Sequence, residues 1–244
     1  MIVPIERPTA EAFALHKQQE KHKKENPLRD VILGGQDGLV NALGIILGVI
    51  AVTSDTRILL ATVLSAAVAE SISMGAVAYT SAVAQQDFYE SERQKALAEI
   101  REVPHMEKEE VRRIFEKKGF SGHTLEEIVQ TVTSDEKLWL HTMMTEELSM
   151  HPIRTNTILK SSVIVTIATA IGHLIPIVPF FFLPQHPSLV ASIVVSAFAL
   201  FATGVYQAVT LVGSWWKNGV RIMVIGLSAA LIGYAIAHLF SLPH

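Results

Sequence analysis

The feature that most constrains the fold of this chain is a set of five long apolar segments with almost no charge. The hydrocarbon core of a bilayer, roughly 30 Å thick, is crossed by about 20 helical residues, and each segment reaches that length. The segments cover residues 31–52, 58–84, 158–183, 188–212 and 220–240. They predict an all-α integral membrane protein with five transmembrane helices.

Most charged residues lie at the N-terminus and in one central stretch, 85–154. This stretch predicts three helices: one that continues from the second span to about Arg101, one at 107–118, and one from Thr124 to about Met150. Proline at 104 and glycine at 119 separate them. We therefore expect a three-helix cytoplasmic domain inserted between the second and third spans. The predicted divisions are an N-terminal cytoplasmic segment (1–28), spans one and two (29–84), the cytoplasmic domain (85–155) and spans three to five (156–244).

The orientation follows from lysine and arginine in the short flanks of the spans, because these residues favour the cytoplasmic side. The basic residues that set it are Lys17, Lys21, Lys23, Lys24 and Arg29 before the first span, and Lys217 and Arg221 between the fourth and fifth. They predict a cytoplasmic N-terminus and a cytoplasmic central domain. No cleavable signal peptide is expected at the polar N-terminus. A prokaryotic plasma membrane is favoured, and a vacuolar membrane would need the same topology.

Composition excludes several functional classes. A net charge of −3 gives no reason to expect nucleic acid as a partner. The absence of cysteine excludes disulfides and thiolate metal sites. No phosphate-binding loop and no nucleophile–base pattern is present, so we expect neither an enzyme nor a prosthetic group.

Two acidic residues, Asp37 and Glu70, lie inside predicted spans, where an ionised carboxylate costs at least about 2.5–3.5 kcal/mol. Because the first two helices run antiparallel, Asp37 should lie level with Met74, and Asn41 should lie near Glu70. Carboxylate and thioether ligands together favour Fe(II) or a similar transition metal over Mg or Ca. The alternative is that both carboxyls are protonated and join helices by hydrogen bonds, with Met74 as ordinary packing.

Small residues recur in the first span at a spacing of four, which lets two helix backbones approach closely. The pairs are Gly34 with Gly38 and Gly44 with Gly48. They fit packing against the second span and a dimer contact equally well.

The central domain concentrates carboxylates and thioethers on single helix faces. These residues are Glu92 and Glu99, then Glu107 and Glu110, then Met143, Met144 and Glu147. If the three faces converge, they form a second site suited to Fe(II). The alternative is that these glutamates are solvated surface residues. The remaining histidines of the domain show no ligand spacing, and His173 in the third span is assigned no role.

Taken in order along the chain, these residues resemble the vacuolar iron transporter family, the proton-coupled carriers of Fe(II) and Mn(II). The matching blocks are Arg29-Asp30 with Gly34 to Asn41, Glu70 to Gly75 with Tyr79-Thr80-Ser81 and Gln85-Gln86-Asp87, Glu99 with Pro104 and Glu107 to Glu110, Lys118-Gly119-Phe120, Met143 to Leu148, and Gly172 to Pro176 with Pro179. They cover most of the chain from Leu28 onward.

The resemblance implies a homodimer with an ion path between the subunits. The family's pore aspartate and methionine fall on Asp37 and Met74. Its cytoplasmic metal-binding carboxylates and paired methionines fall on Glu99, Glu107, Glu110, Glu147, Met143 and Met144. One departure is Ala96, where the family usually has a further glutamate.

We therefore expect an H⁺-coupled transporter that moves Fe(II) out of the cytosol, with Mn(II) or Zn(II) as alternative ions. In this hypothesis Glu70 is the carboxyl that exchanges protons, since metal binding requires deprotonated ligands. A membrane-anchored metal sensor or store and a passive divalent-cation channel remain the alternatives.

Overall fold

The structure, a computed structural model, describes residues 27–153, 155–210 and 213–241. Most of the predicted N-terminal segment, with Lys17, Lys21, Lys23 and Lys24, lies outside these residues, as do Arg154 and Val212. Within the described ranges all regular structure is helical.

The helices follow one another along the chain with short connections. They are α1 (Leu28–Val52), α2 (Thr56–Glu102), α3 (Pro104–Lys117), α4 (Gly122–Thr133), α5 (Glu136–Thr142), α6 (Thr155–Ile177), α7 (Gln185–Thr210) and α8 (Trp215–Ser241). Five described helices, α1, α2, α6, α7 and α8, are long and apolar enough to cross a membrane, which confirms the predicted spans.

Helix α2 joins the membrane part to the charged domain without a break. Its 47 residues correspond to about 70 Å at a rise of about 1.5 Å per residue, more than twice the bilayer core. The helix ends at Glu102, and Pro104 begins α3, as expected from a residue that lacks an amide donor. Residues of the membrane part and of the charged domain therefore share one helix.

The prediction of a single third helix in the domain is wrong, because one helix ends at Thr133 and the next begins at Glu136. The Asp135 carboxylate accepts hydrogen bonds from the amides of Lys137 and Leu138 and caps α5. The helix then widens into a π-helical turn at Met143–Glu147. The capping aspartate explains the break, since it satisfies amide donors that a continuous helix would pair with backbone carbonyls.

Two glycines of α1, Gly34 and Gly38, pack against α6. The expectation that they pack against the second span, α2, is therefore wrong. A methyl group on Gly34 would lie 2.6 Å from the Val165 carbonyl oxygen, and one on Gly38 would overlap the Thr169 carbonyl oxygen. Farther along α1, Gly44 and Gly48 face α8. The backbones of α1 and α6 therefore touch directly.

Helix α1 contacts all four other spans and occupies the middle of the membrane part. Its apolar core with α2, α6 and the 3-10 turn that follows α6 (Val178–Phe181) consists of Ala42, Ile46, Leu59, Val63, Ile177 and Phe180. A separate core fills the charged domain and consists of Ala96, Ile100, Val111, Leu125, Val129, Val132, Trp139, Leu140, Met143 and Met144. The polar residues Asp37 and Asn41 of α1 are consequently partly buried among the other helices.

Candidate functional site

Asp37 lies half-buried on α1 and borders a groove between this helix and α8. The groove has a volume of about 760 Å³. Its polar lining residues are Arg29, Gln36, Asp37 and Gln207, and the rest of its lining is apolar. The groove therefore offers one acidic side chain, Asp37, together with one basic and two amide side chains in a mainly apolar lining.

Glu70 of α2 is hydrogen-bonded to two other helices. Its Oε1 accepts a hydrogen bond from the Asn41 side-chain amide of α1. The prediction that Asn41 lies near Glu70 is confirmed. Its Oε2 lies 2.9 Å from Nε2 of His173 on α6. Both carboxyl oxygens therefore have a partner on a neighbouring helix. These contacts agree with the alternative in which Glu70 joins helices by hydrogen bonds.

His173 is the residue that sequence reasoning missed, although it is fully buried inside a span. Its Nδ1 lies 2.9 Å from the Thr169 carbonyl oxygen. A carbonyl oxygen only accepts, so Nδ1 carries the proton of this hydrogen bond. A polar side chain in the middle of a transmembrane helix is costly without partners, and this cost was the available signal.

Asp37 and Met74 complete the set predicted in the membrane. The Asp37 carboxyl lies near enough to the Glu70 carboxyl for the two groups to interact. Met74 lies one turn beyond Glu70 on α2 and is half-buried. The structure thus brings Asp37, Asn41 and Glu70 together and adds His173 to them.

The charged domain gathers four of the predicted carboxylates. Glu107 is buried, and its pKa is raised to about 7 by burial and by the neighbouring carboxylates of Glu110, Glu99 and Glu147. Burial, followed by Glu110 and Glu99, also raises the pKa of Glu147. The helix faces therefore converge, because carboxylates from α2, α3 and the π-helical turn raise the pKa values of Glu107 and Glu147.

The two methionines, Met143 and Met144, are both buried in the domain core. The π-helical turn begins at Met143 and ends at Glu147. Such turns insert one residue into a helix and are frequent at functional sites.

Ala96 is part of the same core, which leaves no carboxylate at that position. Glu92 instead pairs with Lys95 at 2.6 Å. Within the described residues no group of three or more His, Asp or Glu side chains stands ready to hold a metal ion. The arrangement can attract a cation electrostatically, and binding would require the side chains to draw closer together.

Replacing Glu107 with glutamine should stabilise the charged domain at pH 8 and leave it nearly unchanged at pH 4. The folded-state pKa of about 7 exceeds the ordinary value of about 4.5, so the parent loses stability as pH rises between these values. Glutamine removes this loss, which we expect to be about 3 kcal/mol at pH 8, because each pKa unit is worth about 1.4 kcal/mol.

The measurement is urea unfolding of the full chain, followed by Trp139 fluorescence with Trp215 and Trp216 replaced by phenylalanine. The matched control is Glu109→Gln, since Glu109 lies on the same helix and is exposed. A gain that is equal at both pH values, or a gain shared by the control, would contradict the prediction.

The sequence of this chain is similar to the sequences of known proteins. Residues 28–238 match the sequence model of the VIT family. A protein named vacuolar iron transporter 1 from Tulipa gesneriana is 28% identical over 225 residues, covering 91% of this chain and 91% of the relative. Vacuolar iron transporter 1 of Arabidopsis thaliana is 31% identical over 192 residues, covering 78% and 77%. A vacuolar iron transporter of Plasmodium falciparum is 30% identical over 169 residues, covering 67% and 61%.

Proposed function

Because this chain belongs to the VIT family, we propose that it is a proton-coupled transporter that moves Fe(II) out of the cytosol. Mn(II) is the second candidate ion. The observation that carries the proposal is the meeting of Asp37 and Glu70 inside the membrane part. Helices that only anchor a protein need no carboxyl groups inside the membrane, whereas an ion carrier uses such groups to bind its ion.

Asp37 and Met74 are the proposed ion ligands in the membrane. The carboxylate supplies negative charge, and the thioether favours Fe(II) over Mg²⁺ and Ca²⁺. The names of the relatives, which specify iron, support the same choice.

Glu70 is the proposed proton-exchanging carboxyl. It interacts with Asp37, so the charge on one group alters the free energy of charging the other. A cation bound at Asp37 favours loss of a proton nearby, and protonation from the acidic side favours release of the cation. Competition of metal and proton for adjoining carboxyls is therefore a sufficient coupling mechanism.

The charged domain, residues 85–155, is proposed to collect the ion on the cytoplasmic side. Its carboxylates Glu99 and Glu110 raise the pKa values of Glu107 and Glu147, and a divalent cation would relieve that repulsion. Met143 and Met144 would add thioether ligands after a small rearrangement. We favour a prokaryotic plasma membrane, with the N-terminus and this domain in the cytoplasm.

A homodimer is proposed as the transporting unit. The groove beside Asp37 lies on the surface of one chain, and a second copy placed against it would enclose the groove between two α1 helices. Enclosure would remove Asp37 from lipid and give the ion a polar path.

The test is Fe(II) uptake into proteoliposomes of the purified protein, with and without an inward-acidic pH gradient. The proposal requires uptake that rises with the gradient and fails when Glu70 is replaced with glutamine. Uptake indifferent to the gradient would identify a passive channel. Metal binding without uptake would identify a sensor or store.

A further inference from the structure

We propose that His173 is a positioning residue of transport: it fixes the orientation of the Glu70 carboxyl through a hydrogen bond across 103 residues of sequence. This inference rests on the proposed function, in which Glu70 exchanges protons. It assigns a role to a buried group that the transport scheme otherwise leaves unused.

The geometry around Glu70 is that of a clamp formed by two residues, Asn41 and His173. Asn41 of α1 holds one carboxyl oxygen and His173 of α6 holds the other. The two bonds come from different helices, so the carboxyl cannot rotate without breaking at least one of them. We refer to these two residues as the Glu70 clamp.

The imidazole is itself held in place. Its Nδ1 donates to the Thr169 carbonyl oxygen one helical turn earlier, which fixes the ring plane and directs Nε2 towards Glu70. The ring is fully buried, and Gly38 permits this placement, since a methyl group there would lie only 2.7 Å from Nδ1. Packing and hydrogen bonding thus determine one orientation for the ring.

The test compares two amide replacements, His173→Gln and His173→Asn. Glutamine places its amide nitrogen near the position of Nε2 and can still donate to Glu70, whereas asparagine is one carbon shorter and cannot reach it. Neither amide titrates, so the pair separates holding the carboxyl from carrying a proton. Each variant is first checked for monodispersity in detergent by size-exclusion chromatography.

The measurement is the concentration dependence of Fe(II) uptake into proteoliposomes with an inward-acidic gradient. His173→Asn should lower the maximal rate by about tenfold or more, because one of the two hydrogen bonds that hold the half-buried Glu70 carboxyl is lost. Its KM for Fe(II) should change by less than about threefold, since Asp37 and Met74 bind the ion. His173→Gln should stay within about threefold of the parental rate.

Parental transport by a folded His173→Asn variant would overturn the inference. Equal failure of both folded variants would also overturn it, because His173 would then carry a proton or an ion itself. If the parent shows no gradient-driven uptake, the proposed function fails, and the clamp is judged by thermal unfolding. In that case His173→Asn should lower the Tm of the Glu70→Ala variant by less than it lowers the Tm of the parent, and additive shifts in Tm would refute the clamp.

Discussion

Replacing Asp37 with asparagine should lower the initial rate of Fe(II) uptake by about a hundredfold or more, equal to roughly 2.7 kcal/mol of activation free energy. Asparagine nearly preserves the shape of aspartate, so the packing of α1 stays intact while its negative charge is lost. Inside a membrane a charge acts on a cation through a low dielectric and counts for more than it does in water. The readout is uptake of Fe(II) into proteoliposomes with an inward-acidic gradient.

The matched control is Asp30→Asn, which removes another carboxylate from α1 two turns nearer its first residue. The Asp30 carboxylate accepts a hydrogen bond of 2.6 Å from the Ser161 hydroxyl, and the asparagine carbonyl can accept the same bond. We expect this variant to keep the parental rate within about threefold. Parental uptake by Asp37→Asn would exclude Asp37 from the ion path.

Replacing Gly38 with alanine should destabilise the membrane part by about 1–3 kcal/mol and reduce Fe(II) uptake with it. The added methyl group would overlap the Thr169 carbonyl oxygen, which is backbone and cannot move aside. It would also press on the His173 ring that holds Glu70. The helices α1 and α6 must separate to relieve both contacts.

Gly35→Ala is the control for this second prediction. A methyl group on Gly35 would lie 3.8 Å from the Ala168 carbonyl oxygen, an ordinary van der Waals contact. Alanine favours a helix over glycine by about 1 kcal/mol, so this variant should unfold at the parental temperature or above it. The check is thermal unfolding in detergent, and equal Tm values for Gly38→Ala and Gly35→Ala would contradict the predicted clash.

The contrast between these two glycines illustrates where sequence reasoning stops. Both glycines belong to the first span, and the spacing of Gly34 with Gly38 predicted a close helix contact. It did not identify the partner, because a small residue permits close approach by any helix. The expected packing on α2 is replaced by packing on α6.

The charged domain shows the same limit in a different form. The continuation of α2 to Glu102 and the break at Pro104 were predictable, since proline ends a helix through local geometry. The interruption of the predicted third helix before Asp135 was also predictable, since aspartate is a preferred N-cap residue, but the sequence analysis did not include it. The π-helical turn at Met143–Glu147 has no comparable local signal.

The sequence by itself determined the class of the protein, its five spans and the polar residues that those spans contain. These properties are local, because the free energy of placing a side chain in lipid depends on the residue and on its depth. Only the tertiary structure decided that Glu70 meets His173 and that Gly38 meets Thr169. Contacts of this kind depend on how each helix is rotated and which neighbour it faces, and the packing of the whole bundle sets both.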